Sequence, residues 1–271
     1  MLSRSKSDKR ASYKLCQKRG EDAAGHLRPF DFFVGGRSSV PFEMSSKPVL
    51  YTHTISPAGR AVELTVKALN LDVDVREMNV FKGQHMSDEF KKLNPVQTIP
   101  TLDDNGFVLW DSHAIMIYLA RRYGADSGLY TDEYEQQARI NAALFFESSI
   151  LFARLRFCTD NLTVLGKSAI PEENLQRALE GLQRLERMLQ SEYVAGDQLT
   201  IADLSCVSSV ATLHLMLKPS AEEFPKTFAW MERLSKLPYY GEVMGRGLKA
   251  AGELMQTLGS KNSGGGGSDG N

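Results

Sequence analysis

The sequence predicts two unlike halves, an α/β layer followed by an all-α bundle. Two observations carry this. Between Val49 and Gly124, short apolar strands and helical stripes follow one another in the order β-α-β-α-β-β-α. After Gly124 no further strand pattern occurs, and the apolar runs read as helices. A third observation sets the N-terminal segment apart. Residues 1–47 hold ten Lys/Arg against five Asp/Glu, and the remainder holds 22 against 28. A basic arm therefore precedes a mildly acidic body.

In the α/β half, Val49-Leu50-Tyr51-Thr52 reads as a short strand. Ser56-Pro57 opens a helix, with Pro where its missing N–H costs nothing. Over Ala58–Leu69 the residues Ala61, Val62, Leu64, Val66, Ala68 and Leu69 share one broad face. Arg60, Glu63, Lys67 and Asn70 share the opposite, polar one. Leu71, Val73 and Val75 alternate with Asp72, Asp74 and Arg76, as in a second strand. A short polar helix covers Ser87–Lys92. The runs 99–102 and 107–109 flank Asp104-Asn105-Gly106, and Asn-Gly between apolar runs is a strong hairpin signal. Ser112 caps a helix that Gly124 ends.

In the helical half, Glu133–Thr159 reads as one long helix. Pro171–Leu189 carries a stripe of Leu175, Ala178, Leu179, Leu182, Leu185 and Leu189. Thr200–Leu217 is apolar nearly all round, which buries it in the middle of a bundle. Thr200 and Asp203 there stand in a relation close to a capping box. Two shorter helices follow, near Lys226–Lys236 and Gly241–Leu258. The expected organisation is a disordered basic extension at 1–43, an α/β domain at 44–124, a linker at 125–132, an all-helical domain at 133–258 and a flexible Gly/Ser tail at 259–271.

Composition narrows the function. The chain has 271 residues and a formal net charge of −1, which argues against a dedicated nucleic-acid binder. No apolar run is long enough to span a bilayer, so no membrane partner is expected. The three cysteines, Cys16, Cys158 and Cys206, form neither a C-x-x-C pair nor a zinc spacing. A reducing, cytoplasmic compartment and no metal are expected.

Several strings together resemble the cytosolic glutathione transferases of insects. Leu50-Tyr51-Thr52 with Ser56-Pro57 is similar to their serine-type catalytic segment. Leu93-Asn94-Pro95 with Thr98-Ile99-Pro100 resembles their glutathione-binding loop, and Asp111-Ser112-His113-Ala114-Ile115 their acidic-Ser motif. His113 in place of Arg, and the stretch 146–157, resemble the epsilon class more than the delta class. The resemblance covers about residues 47–245. It implies a thioredoxin-like N-terminal half, a helical C-terminal half, a homodimer, and glutathione as cosubstrate with no tightly bound cofactor. It also implies conjugation of glutathione to hydrophobic electrophiles, including xenobiotics and insecticides, with dehydrochlorination and hydroperoxide reduction open to the same thiolate.

The same resemblance assigns roles. Ser56 holds the glutathione thiolate. Pro100, in a cis bond, presents the backbone of Ile99 to the cysteinyl portion, beside Thr98. Asp111 and Ser112, with His113 following, meet the γ-glutamyl end, where helix N–H groups suit a carboxylate. His85 and Arg156 either meet the glycyl carboxylate or contribute general electrostatics. Gln97 stands where the family commonly has His, and it can donate a hydrogen bond but carries no charge. Phe152, Leu155, Thr159 and Met216 are candidates for the acceptor pocket.

The chemistry is sufficient in magnitude. A thiol pKa is near 8.5, and lowering it by about two units takes roughly 2.7 kcal/mol. One hydrogen bond to a charged acceptor contributes roughly 1.5–3 kcal/mol, and a helix N-terminus roughly 0.3–1. Ser56 acts in this scheme as a donor and not as a nucleophile. A thiol–disulfide oxidoreductase would need cysteine at that position. The alternative is a noncatalytic carrier or interaction protein on the same fold.

Overall fold

The computed structural model describes residues 46–167 and 169–263, with side chains to 258. The expected basic extension over 1–43 lies outside the described residues. Four strands form one sheet in the order β2-β1-β3-β4. They are β1 (Val49–Thr52), β2 (Asp74–Glu77), β3 (Thr101–Asp104) and β4 (Phe107–Trp110). β1 runs parallel to β2, with Val49 opposite Asp74, and antiparallel to β3, with Leu50 opposite Leu102. β3 and β4 close a two-residue hairpin at Asn105-Gly106, both with positive φ (55° and 89°), as a primed turn requires. The second strand begins later than its alternation suggests, because pairing with β1 selects Asp74–Glu77 and leaves all four residues exposed at the sheet edge.

Helix α1 (Pro57–Ala68) crosses between β1 and β2 and packs against both α3 (Ser112–Tyr123) and α7 (Ile201–Leu217). It is not two-faced as expected: Arg60 is 1% exposed and Glu63 is 6% exposed. Covered on several sides, the helix buries these charges because both have partners there. Glu63 accepts from Arg246 at 2.6 Å, although burial still pushes its carboxyl above the ordinary range. A short helix α2 (Asp88–Leu93), capped by the Ser87 hydroxyl, follows two 3-10 turns at Val80–Lys82 and Gln84–Met86. Asp104, at the end of β3, accepts from the hydroxyls of Tyr118 (2.7 Å) and Tyr123 (2.6 Å), which ties the sheet to α3.

The helical half contains α4 (Tyr134–Phe146), α5 (Ala153–Thr163), α6 (Glu172–Met188), α7, α8 (Pro225–Ser235) and α9 (Arg246–Ser263). The single long helix expected from Glu133 is interrupted by a π-helical segment, Glu147–Phe152, and continues to Thr163. Ser148 and Ser149 donate their hydroxyls to the Phe145 carbonyl, competing with the helix ladder at that point. α7 is buried over nearly its whole length, as its all-round apolar pattern requires. α9 extends to Ser263, into the segment expected to be a flexible tail. Together the two halves form a thioredoxin-like α/β unit followed by an all-helical unit.

Candidate active site

One cleft of about 900 Å³, walled by both halves, gathers every expected site residue except Met216. Met216 sits on the last turn of α7 and packs against the apolar core. Met216 is half-buried on the core side of that turn, and a linear stripe does not reveal which body covers an apolar side chain.

Ser56 is the N-cap of α1, and its side-chain oxygen accepts the Gly59 N–H at 3.1 Å. That bond uses a lone pair and leaves the hydroxyl proton free to donate. Gly59 is required here: a Cβ at this position would lie 2.1 Å from the Thr52 hydroxyl. α1 thus starts hard against the end of β1, which holds Ser56 at the cleft wall.

Arg60, one turn into α1, secures the same loop from behind. Its guanidinium donates to the carbonyls of Ile55 (2.9 Å) and Thr54 (3.5 Å). It also reaches α7, donating to the Ser208 carbonyl at 3.2 Å and the Thr212 hydroxyl. Burial pushes its pKa down to about 10, so it stays protonated at neutral pH. Gly247, at the start of α9, lets that helix close over the clamp, since a Cβ there would meet the Arg60 side chain at 2.3 Å.

The loop before β3 is shaped by Asn94. Its amide donates to the Thr98 carbonyl (3.0 Å) and the Thr101 hydroxyl (2.9 Å), and its oxygen accepts the Val96 N–H (2.9 Å). Gln97 lies in the left-handed region with φ 56°, and the Ile99–Pro100 bond is cis. Gln97, Thr98, Ile99 and Pro100 all face the cleft.

The N-cap of α3 is Asp111, one residue before the expected Ser112. Its carboxylate accepts the N–H groups of His113 (3.0 Å) and Ala114 (3.2 Å) from a backbone with φ 73°. Positive φ in a residue other than glycine stores strain, which concentrates at functional sites. Ser112 therefore keeps its hydroxyl uncommitted to the cap. His113 turns its ring inward, where Nε2 lies 2.8 Å from the Ser205 hydroxyl and 2.9 Å from Glu147 Oε2. The Ser209 hydroxyl also bonds Glu147. His113 thus links α3 to the π segment and α7, while only part of it borders the cleft.

His85 lies on the second 3-10 turn, and its buried Nδ1 has no partner among the described residues. Arg156 is exposed and pairs with Asp160 at 3.0 Å. On the facing wall Leu155 is buried, while Phe152 and Thr159 are half-buried.

Sequence reasoning missed three contributors. α9 supplies Ala251, Leu254, Met255 and Leu258 to the wall. Trp110 and Phe81 line it as exposed aromatics. His53 lines it with one ring nitrogen held by Glu77 at 2.6 Å. A histidine three residues before Ser56 was the available signal for the last. No described helix is long and apolar enough to cross a membrane.

The described geometry has relatives. Residues 47–121 match the family model for the N-terminal domain of glutathione S-transferase, and residues 142–238 match the C-terminal domain model. The chain is 39% identical over 193 residues to glutathione S-transferase 1 of Manduca sexta, covering 70% of this chain and 89% of that one. It is similar in structure to an epsilon-class glutathione S-transferase from the housefly Musca domestica (40% identity, TM-score 0.75, covering 80% of this chain and 99% of that one). A glutathione transferase homologue from Drosophila mojavensis, solved with bound glutathione, is 37% identical with a TM-score of 0.76, covering 78% of this chain and 97% of that one. The chain belongs to the glutathione S-transferase family.

Proposed function

We propose that this protein is a glutathione transferase in which the Ser56 hydroxyl stabilises the thiolate of glutathione. The observation that carries the reading is the free hydroxyl proton of Ser56 at a helix N-terminus on the cleft wall. A donor bond and the helix end together match the roughly 2.7 kcal/mol needed to lower a thiol pKa by about two units. The rest of glutathione extends along the same wall. Its cysteinyl backbone lies beside Ile99, its γ-glutamyl end at Asp111 and Ser112, and its glycyl carboxylate near His85 and Gln97, with Arg156 at the rim.

The acceptor is a hydrophobic electrophile lying against Phe152, Leu155 and Thr159, with α9 and Trp110 enclosing it. An apolar wall with a few polar groups suits such ligands. This gives the α/β half (44–124) the glutathione site and the helical half (133–258) most of the acceptor site. Detoxification of xenobiotics and insecticides in the cytoplasm, by a homodimer, is the role we assign. Dehydrochlorination and hydroperoxide reduction use the same thiolate.

The test is Ser56→Ala. Conjugation of a chlorinated aromatic substrate should fall by about 10- to 100-fold, the worth of one charge-assisted hydrogen bond. The thiolate ultraviolet band of bound glutathione should disappear at neutral pH. A variant that binds glutathione and keeps both the band and the rate would overturn this mechanism.

A further inference from the structure

The cleft holds a second polar device that thiolate stabilisation does not use. His53 follows directly on β1, and its carbonyl accepts the Ser56 N–H at 2.8 Å, so the two side chains leave one tight turn. Glu77 ends β2 opposite Thr52 in the parallel register. Its carboxylate takes His53 Nδ1 at 2.6 Å, the Thr54 N–H at 2.8 Å and the Thr54 hydroxyl at 3.1 Å. Three bonds fix Glu77, and Glu77 fixes the ring. An ionised carboxylate only accepts, so Nδ1 carries a proton and Nε2 is the working nitrogen. Phe81 packs against the ring edge-on at 5.7 Å. No described residue bonds Nε2, and His53 lines the cleft together with Ser56, Val80 and Phe81. A histidine oriented by a carboxylate and set in a cleft beside the reacting group is the arrangement of an acid–base catalyst.

We propose that His53 is a catalytic proton donor to electrophiles that develop charge on oxygen, namely α,β-unsaturated aldehydes and ketones, with Glu77 as its positioning residue. This rests on the glutathione-conjugating reading above. The thiol first loses its proton to water. The thiolate sulfur then forms a C–S bond to the β-carbon of the acceptor. The C=C π pair moves to the bond between the α-carbon and the carbonyl carbon, and the carbonyl π pair moves to oxygen as an enolate. The imidazolium of His53, with the Glu77 carboxylate as counter-charge, gives its Nε2 proton to that oxygen. The enol returns to the carbonyl form by exchanging the proton for one at the α-carbon, and His53 regains a proton from water. Proton release and uptake cancel, so the net reaction is glutathione plus acceptor to adduct. Displacement of a halide ends in a halide ion and takes no proton from His53.

The experiment compares kcat/KM for an enal and for benzyl chloride in the wild type, His53→Leu and Glu77→Gln. The ratio of enal to benzyl chloride should fall about 100-fold in His53→Leu, within the usual range for general acid catalysis. It should fall by a smaller factor in Glu77→Gln, which keeps an acceptor oxygen but loses the charge. His53→Phe, which keeps a ring against Phe81, replaces the leucine variant if that chain does not fold. An unchanged ratio with normal benzyl chloride turnover by the wild type overturns the assignment of His53 alone. Wild-type protein that turns over neither compound overturns the conjugating reading and this inference with it.

Discussion

The N-termini of α3 and α7 are each organised by an aspartate, and their surroundings could hardly differ more. Asp111 is exposed, caps α3 through two backbone N–H groups, holds φ at 73° and faces the cleft. Asp203 is fully buried and lies off the cleft. It accepts from the N–H groups of Val194 and Thr200 (both 2.9 Å), the Thr200 hydroxyl (3.0 Å) and the Trp230 indole (3.0 Å). Burial pushes its carboxyl above the ordinary range even against those four donors. One residue type therefore serves two ends, as the N-cap itself at α3 and as the third helical residue of a capping box behind Thr200 at α7. At α7 every acceptor position is filled by protein, so the carboxylate knits α6–α7, α7 and α8 into one core. At α3 the cap is made at the cost of backbone strain, and acceptor capacity is left over on the side where a ligand would lie.

The largest effect is expected at the buried cap. Asp203→Ala should lower stability by roughly 3–5 kcal/mol, because the Val194, Thr200 and Trp230 donors would lose their acceptor in a dry interior. Urea denaturation at neutral pH measures it. A loss below about 1 kcal/mol would mean that water or a local shift replaces the carboxylate, and the contrast with Asp111 would weaken.

The far end of α7 extends the contrast to pH. His214 packs its ring on Phe228 at 5.2 Å, its buried Nε2 has no partner among the described residues, and burial pushes its pKa down to about 4. The unfolded chain protonates this group near pH 6.5, whereas the folded chain does so only near 4. Its contribution is therefore present in full above pH 6.5 and is lost as pH falls from 6.5 to 4. Discounted for the part of the ring that meets solvent, the loss is about 1–2 kcal/mol. His214→Phe should flatten the decline in the urea midpoint between pH 7 and pH 4.5. An equally steep decline in the variant would place the acid sensitivity elsewhere.

Much of this architecture is legible in the sequence, and the failures share one cause. Local chemistry announced the Asn105-Gly106 hairpin, the start of α1 at Ser56-Pro57, and the burial of α7. What escaped depends on contacts between distant segments. Arg60 and Glu63 read as a polar face because their partners, Ser208, Thr212 and Arg246, lie more than a hundred residues away. The π segment at Glu147–Phe152 leaves the apolar period nearly intact, so one uninterrupted helix was the natural reading. Met216 and α9 exchanged places as cleft lining because a helical stripe identifies an apolar face but not the body that covers it. The cap at Asp111 was displaced by one residue because serine is the commoner signal, and only the backbone shows that Asp111 adopts φ 73°.

The smallest effect separates binding from folding most cleanly. Asp111→Asn keeps a side-chain oxygen for the His113 and Ala114 N–H groups, and asparagine tolerates positive φ, so stability should change by only a few tenths of a kcal/mol. The substitution removes the charge. If the carboxylate also meets the ammonium of glutathione, the bond changes from charge-assisted to neutral, a loss of about 1 kcal/mol. The KM for glutathione should then rise about fivefold, with kcat nearly unchanged because the contact lies away from the sulfur. At Asp203 the same substitution should do the reverse. An amide there would set its NH₂ against buried donors, lowering the urea midpoint while leaving the KM of the folded enzyme alone. If Asp111→Asn instead loses stability and keeps its KM, then α3's aspartate is a folding device like that of α7, and the γ-glutamyl end of glutathione is held by Ser112 and the backbone alone.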